Sequence, residues 1–182
     1  TWPGGQPGTN PAWPGGQPGA NPAWPGGNPS QPAGPVPTAP QNSLTVPYKQ
    51  MLPQGIYDKL LITIAGTIKP NARLITVDII AGNDLAFHFN PRFNEEGRKV
   101  IVRNSCIGTK WGREERELQN FPFVQGQPFE MKILCTNGEF KVAVNNSHLL
   151  EFKHRFTNLK AINVLNIYND LTLSNVQIQN LS

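Results

Sequence analysis

Residues 129–145 read FEMKILCTNGEFKVAVN. Two short runs rich in Phe, Ile, Leu and Val flank Asn137-Gly138, a dipeptide that signals a two-residue hairpin between strands. Further runs of the same kind lie at 60–68 (LLITIAGTI), 73–80 (RLITVDII), 84–90 (DLAFHFN), 98–105 (RKVIVRNS), 149–153, 163–168 and 171–179. Each alternates or is wholly apolar, and Gly, Pro, Asn or Asp bound them, which is how strands read. No stretch of helical length repeats its apolar residues with a period of 3.6 between caps. Many short strands within residues 49–182 predict an all-β chain, a two-sheet antiparallel β-sandwich of jelly-roll type. That length suffices for one core between two sheets.

The composition breaks near residue 48. Upstream there is no Asp, Glu, Lys, Arg or His, yet that stretch holds 13 of the 18 prolines and 9 of the 17 glycines. A repeat of 11 residues begins at Trp2 (WPGGQPGTNPA), again at Trp13 (WPGGQPGANPA) and in degraded form at Trp24 (WPGGNPSQPAG). Proline at this density excludes helix and ladder pairing, and glycine raises the entropy cost of ordering. Too few apolar side chains are present to offset that cost. Residues 1–46 are therefore expected to be a disordered Pro/Gly/Trp repeat tail, and residues 47–182 a folded domain. Gly does not recur at every third position, so the tail is not collagen-like. A flexible chain of this length spans roughly 40 Å. The fixed spacing of Trp2, Trp13 and Trp24 favours self-association over an inert spacer.

The net charge of +4 is modest and the two signs are interspersed, which argues against a dedicated nucleic-acid binder. No run of about 18 apolar residues exists, so no membrane insertion is expected. Cys106 and Cys135 sit in strand-like runs and read as buried free thiols, which fits a reducing compartment. The three histidines stand apart at 88, 148 and 154, with no metal-ligand spacing, and no cofactor is implied. Two glycosylation sequons begin at Asn145 and Asn180 and matter only on a secretory route. The chain starts at Thr1 without Met, which fits a fragment or a processed chain, and these residues contain no secretory signal.

Polar residues interrupt the strands in one place. In DLAFHFNPRF (84–93), Phe87 and Phe89 point to one face, and His88, Asn90 and Arg92 to the other. The next run ends in Asn104, which extends the same polar patch if the two strands pair. Then comes WGREER (111–116). If the chain returns to a strand after Gly112, Glu114 and Arg116 share a face while Arg113 and Glu115 face away, and Gly112 lets the chain turn. Trp111 would stand at the edge. Guanidinium and amide groups donate to lone pairs, and a carboxylate takes a proton, so such a face suits hydroxyls on a ring. An aromatic plate covers C–H bonds, and galactose has an apolar patch at C3, C4 and C5. The alternative is a solvated loop with ion pairs of little worth. A glycosidase would need a second carboxylate opposite Glu114. Only Glu95, Glu96 and Glu115 are near, so an enzyme is not expected.

HFNPRF (88–93), VRN (102–104) and WGREER (111–116) resemble the galectin signature His-x-Asn-x-Arg, Val-x-Asn, Trp-x-x-Glu-x-Arg, with the same spacing between the pieces. The Pro/Gly-rich aromatic repeat is similar to the tail of the chimera type of that family. The resemblance implies a sandwich of about five and six strands that binds β-galactosides on glycoproteins and glycolipids without metal. It implies that His88, Asn90 and Arg92 hold galactose O4, that Asn104 and Glu114 hold O6, and that Trp111 stacks on the ring. Arg92, Glu114 and Arg116 would reach O3 of the adjoining sugar, with Glu95 and Val102 in support. Where chimera-type members carry an Arg beyond galactose O3, this chain has Leu74, with Arg73 one place earlier and so on the other face. The family is made in the cytosol and exported without a signal peptide, so cytoplasmic, nuclear and cell-surface locations are implied, with Asn145 and Asn180 unglycosylated. The alternative function is an intracellular scaffold whose Pro-rich tail meets RNA-processing or signalling proteins.

Overall fold

The structure, a computed structural model, describes residues 44–181. All but the last three residues of the expected tail, Trp2, Trp13 and Trp24 included, lie outside the described residues. Leu44 and Val46 already pack against the core, and Leu44 bridges to Leu173.

The hairpin at 129–145 forms. Strand β7 (Pro128–Cys135) pairs with β8 (Glu139–Val144) from Met131 opposite Val144 to Cys135 opposite Phe140. Its turn closes without left-handed backbone at Asn137 or Gly138. Thr136 Oγ1 instead accepts the amides of Gly138 (3.2 Å) and Glu139 (3.1 Å). Left-handed pairs occur at three other hairpins, Glu96-Gly97 (φ 56° and 85°), Gly108-Thr109 (φ 65° and 60°) and Asn145-Asn146 (φ 52° and 71°), where a two-residue turn must follow the strand twist.

The remaining strands are β1 (Tyr48–Met51), β2 (Leu60–Ile68), β3 (Ile75–Ala81), β4 (Asp84–Glu95), β5 (Arg98–Ile107), β6 (Lys110–Trp111), β9 (Ser147–Lys153), β10 (Val164–Asn169) and β11 (Leu171–Asn180). A 3-10 turn covers Leu159–Ala161. They form a five-stranded sheet, β11-β2-β7-β8-β9, and a six-stranded sheet, β1-β10-β3-β4-β5-β6, with every pairing antiparallel. Among the described residues no helix is long and apolar enough to cross a membrane.

The core fills the space between the sheets. Met131, Ile133, Phe140 and Val142 meet Ile79, Phe87, Phe89, Ile101 and Leu165, all fully buried. The Phe87 ring stacks on Phe140 (4.9 Å between centroids) and Phe152 (4.8 Å). Apolar residues at alternate positions of both sheets therefore fix which face of β4 turns outward.

Three sequence expectations need correction. β1 was not foreseen as a strand. No strand follows Gly112. After β6 the segment makes a single bridge, Glu115 to Arg103. It lies at the sheet edge with no further strand to pair with, and its charged side chains bond elsewhere. Cys135 is buried, and burial raises its thiol pKa, but Cys106 is only half-buried because it pairs with the edge residue Trp111.

Candidate functional site

β4 sends Phe87 and Phe89 into the core and His88, Asn90 and Arg92 to the outer face. Pro91 does not end the strand, which continues to Glu95. The ladder to β3 stops at Phe89, and Pro91 has no N–H to extend it. The Ile75 carbonyl instead accepts from Asn90 Nδ2 (3.0 Å), which also donates to Thr76 Oγ1 (3.2 Å). The Asn90 amide is thereby fixed, with Oδ1 accepting from Arg92 Nε (2.8 Å).

His88 lies directly opposite Asn104 in the β4–β5 register. Its Nδ1 is 2.6 Å from Oδ1 of the buried Asp78, whose other oxygen accepts the Tyr168 hydroxyl (2.7 Å). The carboxylate oxygen facing Nδ1 is an acceptor, so the imidazole places a proton on Nδ1 and turns Nε2 to the ligand side. Burial, then the Asp78 carboxylate, pushes the Tyr168 hydroxyl pKa up, so it stays a donor.

From Arg92 a chain of ion pairs runs across the surface. Arg92 Nη1 donates to Glu95 (2.5 Å), Arg116 Nη1 donates to the other Glu95 oxygen (2.6 Å), and Arg116 Nε donates to Glu114 (2.7 Å). The Arg116 hydrogen bond foremost, with Arg92, holds the Glu95 carboxyl at about 2 against the opposing effect of its desolvation. Glu95 and then Glu114 raise the Arg116 pKa in turn. Glu95 is the hub that sets the spacing of two guanidinium groups.

Asn104 is held from three sides. Its Oδ1 accepts from the Ser105 amide (2.7 Å) and Arg155 Nη1 (2.9 Å), and its Nδ2 donates to the Gly112 carbonyl (2.9 Å). Trp111 is 53% exposed and meets the His88 ring edge-on, with centroids 5.1 Å apart at 67°. An open cleft of about 280 Å³ results, lined by His88, Arg92, Val102, Asn104, Trp111, Gly112 and Glu114. Asn90, Glu95 and Arg116 flank this lining, with Asn90 and Glu95 bonded to Arg92 and Arg116 bonded to Glu114. Leu74 bridges to Arg92, and Arg73 beside it is exposed.

Sequence reasoning missed Asp78, Thr76, Tyr168 and Arg155. An acid in the run ITVDIIA was a usable signal for Asp78; no pattern marks Arg155. Gly112 has a different purpose from the expected turn. Its φ is not positive, but a Cβ there would lie 2.8 Å from Arg155 Nη1 and 3.2 Å from Asn104 Oδ1. Among the described residues no cluster of His, Cys, Asp and Glu could hold a metal ion. A second cleft of about 290 Å³ lies between β1 and β11, beside Met51, Tyr57, Leu60 and Ile178, and has no charged side chain.

Residues 47–178 match the family described as galactoside-binding lectin. Galectin-3 of Cricetulus longicaudatus is 52% identical over 142 residues, covering 78% of this chain and 57% of that protein. Galectin-4 of Sus scrofa is 39% identical over 142 residues, 77% of this chain and 43% of that protein. The chain therefore spans about half the length of these relatives. Among solved structures, sheep galectin-11 in complex with glycerol superposes with a TM-score of 0.67 at 27% identity, covering 75% of this chain and all of that one. Caenorhabditis elegans galectin LEC-6 shares the fold, with a TM-score of 0.68 at 20% identity over 76% of this chain and 94% of its own.

Proposed function

The chain belongs to the galactoside-binding lectin family, and from that premise we propose that residues 47–182 bind β-galactosides of the lactose and N-acetyllactosamine class without a metal. The observation that carries the reading is the cleft itself, where an exposed Trp111 ring stands beside an imidazole acceptor, an amide donor, a guanidinium and a carboxylate. The galactose C3–C5 hydrogens would lie on Trp111. O4 would donate to His88 Nε2 and accept from Arg92, with the remaining Asn90 Oδ1 lone pair beside it. O6 would meet the free Asn104 N–H and Glu114. Arg92, Glu114 and Arg116 would face O3 of the adjoining glucose or N-acetylglucosamine.

Each site is weak. At about 0.3 kcal/mol per non-hydrogen atom a disaccharide gains at most about 7 kcal/mol, roughly ten micromolar. Residues 1–46 would supply what one site lacks, through self-association at Trp2, Trp13 and Trp24 that clusters several domains. Calorimetric titration with lactose and with sucrose tests the first claim. Lactose should bind and sucrose should not; equal binding or none would refute it. Deleting residues 1–43, which keeps Leu44 and Val46 against the core, should leave lactose affinity unchanged and reduce agglutination of cells. Catalysis is not part of the reading: a glycosidase needs a second carboxylate across the bond from Glu114, whereas Glu95 is engaged by both Arg92 and Arg116 and Glu115 turns to Arg155. Glucose released from lactose would contradict that. Export without a signal peptide would leave Asn145 and Asn180 unmodified, and an amidase-sensitive mass on the native protein would rule it out.

A further inference from the structure

From Gly112 to Glu117 the wall of the cleft is barely tied to the sheet by backbone. Gly112 N–H reaches the Ser105 carbonyl (2.9 Å), and Glu115 exchanges two hydrogen bonds with Arg103 (2.9 and 3.0 Å). Side chains of its own sheet add to this: Asn104 Nδ2 donates to the Gly112 carbonyl (2.9 Å), Arg103 Nη1 donates to the Glu117 carbonyl (2.9 Å) and Arg116 Nη1 donates to Glu95 (2.6 Å). The remaining hold comes from the opposite sheet. Arg155 lies just past the end of β9. Its Nη1 donates to Asn104 Oδ1 (2.9 Å) and Ser105 Oγ (3.0 Å). Its Nη2 donates to the Arg113 carbonyl (2.8 Å) and Glu115 Oε2 (2.9 Å). The guanidinium sits over the Phe152 ring, 4.7 Å from its centroid.

We propose that Arg155 is a positioning residue for the sugar cleft: it fixes the Asn104 amide with Nδ2 on the cleft side and holds residues 112–115 at the height that presents Trp111 and Glu114 to the ligand. This rests on the galactoside-binding reading of the cleft. A flipped Asn104 would set Nδ2 against two donors, Arg155 and the Ser105 amide, and its oxygen against the Gly112 carbonyl. Arg155 adds its charged donor to the Ser105 amide and the Gly112 carbonyl in excluding that state, so one Nδ2 hydrogen remains for a ligand hydroxyl. The same side chain explains the glycine in WGRE. The backbone crosses the guanidinium so closely that an added Cβ would sit 2.8 Å from Nη1. Arg155 pairs with Glu115 on the side away from the cleft and is not among the cleft's lining residues, so it acts through Asn104 and the loop. Lysine cannot reproduce four bonds from one planar fork.

The full chain is compared with Arg155→Met, Arg155→Lys and, as a destabilised control remote from the cleft, the core variant Ile133→Val. Amide NMR spectra are recorded without ligand. Calorimetry is then run with lactose and with the analogue lacking galactose O6. In Arg155→Met the Asn104 side-chain amide, the Gly112 amide and the Trp111 indole should shift or broaden, while β2 and β11 amides stay in place. Lactose should bind about tenfold more weakly or worse, from the loss of charged hydrogen bonds. The O6-free analogue, which does not use Asn104, should lose measurably less than lactose does, because only the displacement of Trp111 and Glu114 then counts. Arg155→Lys should fall between, and Ile133→Val should lower the melting temperature without changing either affinity. Unchanged Asn104, Gly112 and Trp111 signals would overturn the proposal, as would equal losses for the two sugars or a lactose affinity within about twofold of the parent. If Arg155→Met does not fold, Arg155→Lys decides on the same readouts, with a lactose loss of at least about threefold required. If the parent itself ignores lactose, the galactoside reading falls, and the ligand-free spectra still decide whether Arg155 fixes the amide and the loop.

Discussion

The β7–β8 hairpin and the segment Trp111–Arg116 are held in different ways. The hairpin lies between β2 and β9, with ladder bonds on both sides and apolar side chains at every second position facing the core. Many apolar sequences with the same alternation would produce that shape. The segment has one ladder residue, Trp111 of β6, and then a single bridged residue, Glu115. The rest of its geometry comes from side chains far away in sequence: Glu95 to Arg116, and Arg155 to Arg113 and Glu115. Backbone ladders make a scaffold that is robust in shape, and changes to it appear as lost stability. Side-chain ties make a site whose changes appear as lost affinity while the fold persists.

That contrast can be broken most forcefully in the core. Phe140→Ala removes a fully buried ring stacked on Phe87 and should cost about 3–5 kcal/mol in urea unfolding. Lactose affinity of the folded protein should stay within about twofold. A larger loss of affinity would mean that the hairpin shapes the cleft after all. Trp111→Leu is the opposite case. The ring is 53% exposed, so stability should move by no more than about 0.5 kcal/mol. Lactose affinity should fall by about tenfold or more, equivalent to about 1.4 kcal/mol, as the plate under the sugar is lost.

The same division explains what could be read in the sequence. β2 occupies 60–68, where its apolar run ended. The split of Phe87 and Phe89 from His88, Asn90 and Arg92 also held, because strand parity is a property of neighbouring residues. β1 was not legible. Tyr-Lys-Gln-Met is too short and too polar to show a pattern, and it is a strand only because β10 is there to pair with it. Glu114 and Arg116 bond to each other, and Glu115 turns away to Arg155, as parity suggested, although the expected strand is absent. The single bridge at Glu115 imposes the alternation locally. Arg155 and Tyr168 could not have been found, since only the completed fold brings them to Asn104 and Asp78.

Smaller effects probe the side-chain ties themselves. Glu95→Gln should weaken lactose binding several-fold, because Arg92 and Arg116 lose their shared anionic acceptor. Its effect on stability has a defined pH course. The Glu95 carboxyl is held at about 2 against an ordinary 4.5, and a lowered carboxyl stabilises the fold above its unfolded value. The parent should therefore melt higher than Glu95→Gln by a constant margin from neutral pH down to about 5, and the margin should close as pH falls through about 2. The pair faces solvent, so added salt should shrink the margin at every pH. A margin that widened on acidification would invert the assigned direction.

Gly112→Ala should have the smallest effect and the sharpest meaning. Its new methyl would meet Arg155 Nη1 at 2.8 Å. A free guanidinium would swing aside at little cost, but this one is tied by four hydrogen bonds and seated on Phe152. Alanine should therefore weaken lactose binding by about threefold in the parent. In the Arg155→Met background the rigid obstacle is gone, and the same substitution should cost less than it does alone. Such non-additivity is what two residues in contact produce. Equal costs in both backgrounds would show that the glycine answers to something other than Arg155, and that the loop is held by its backbone like the hairpin it was contrasted with.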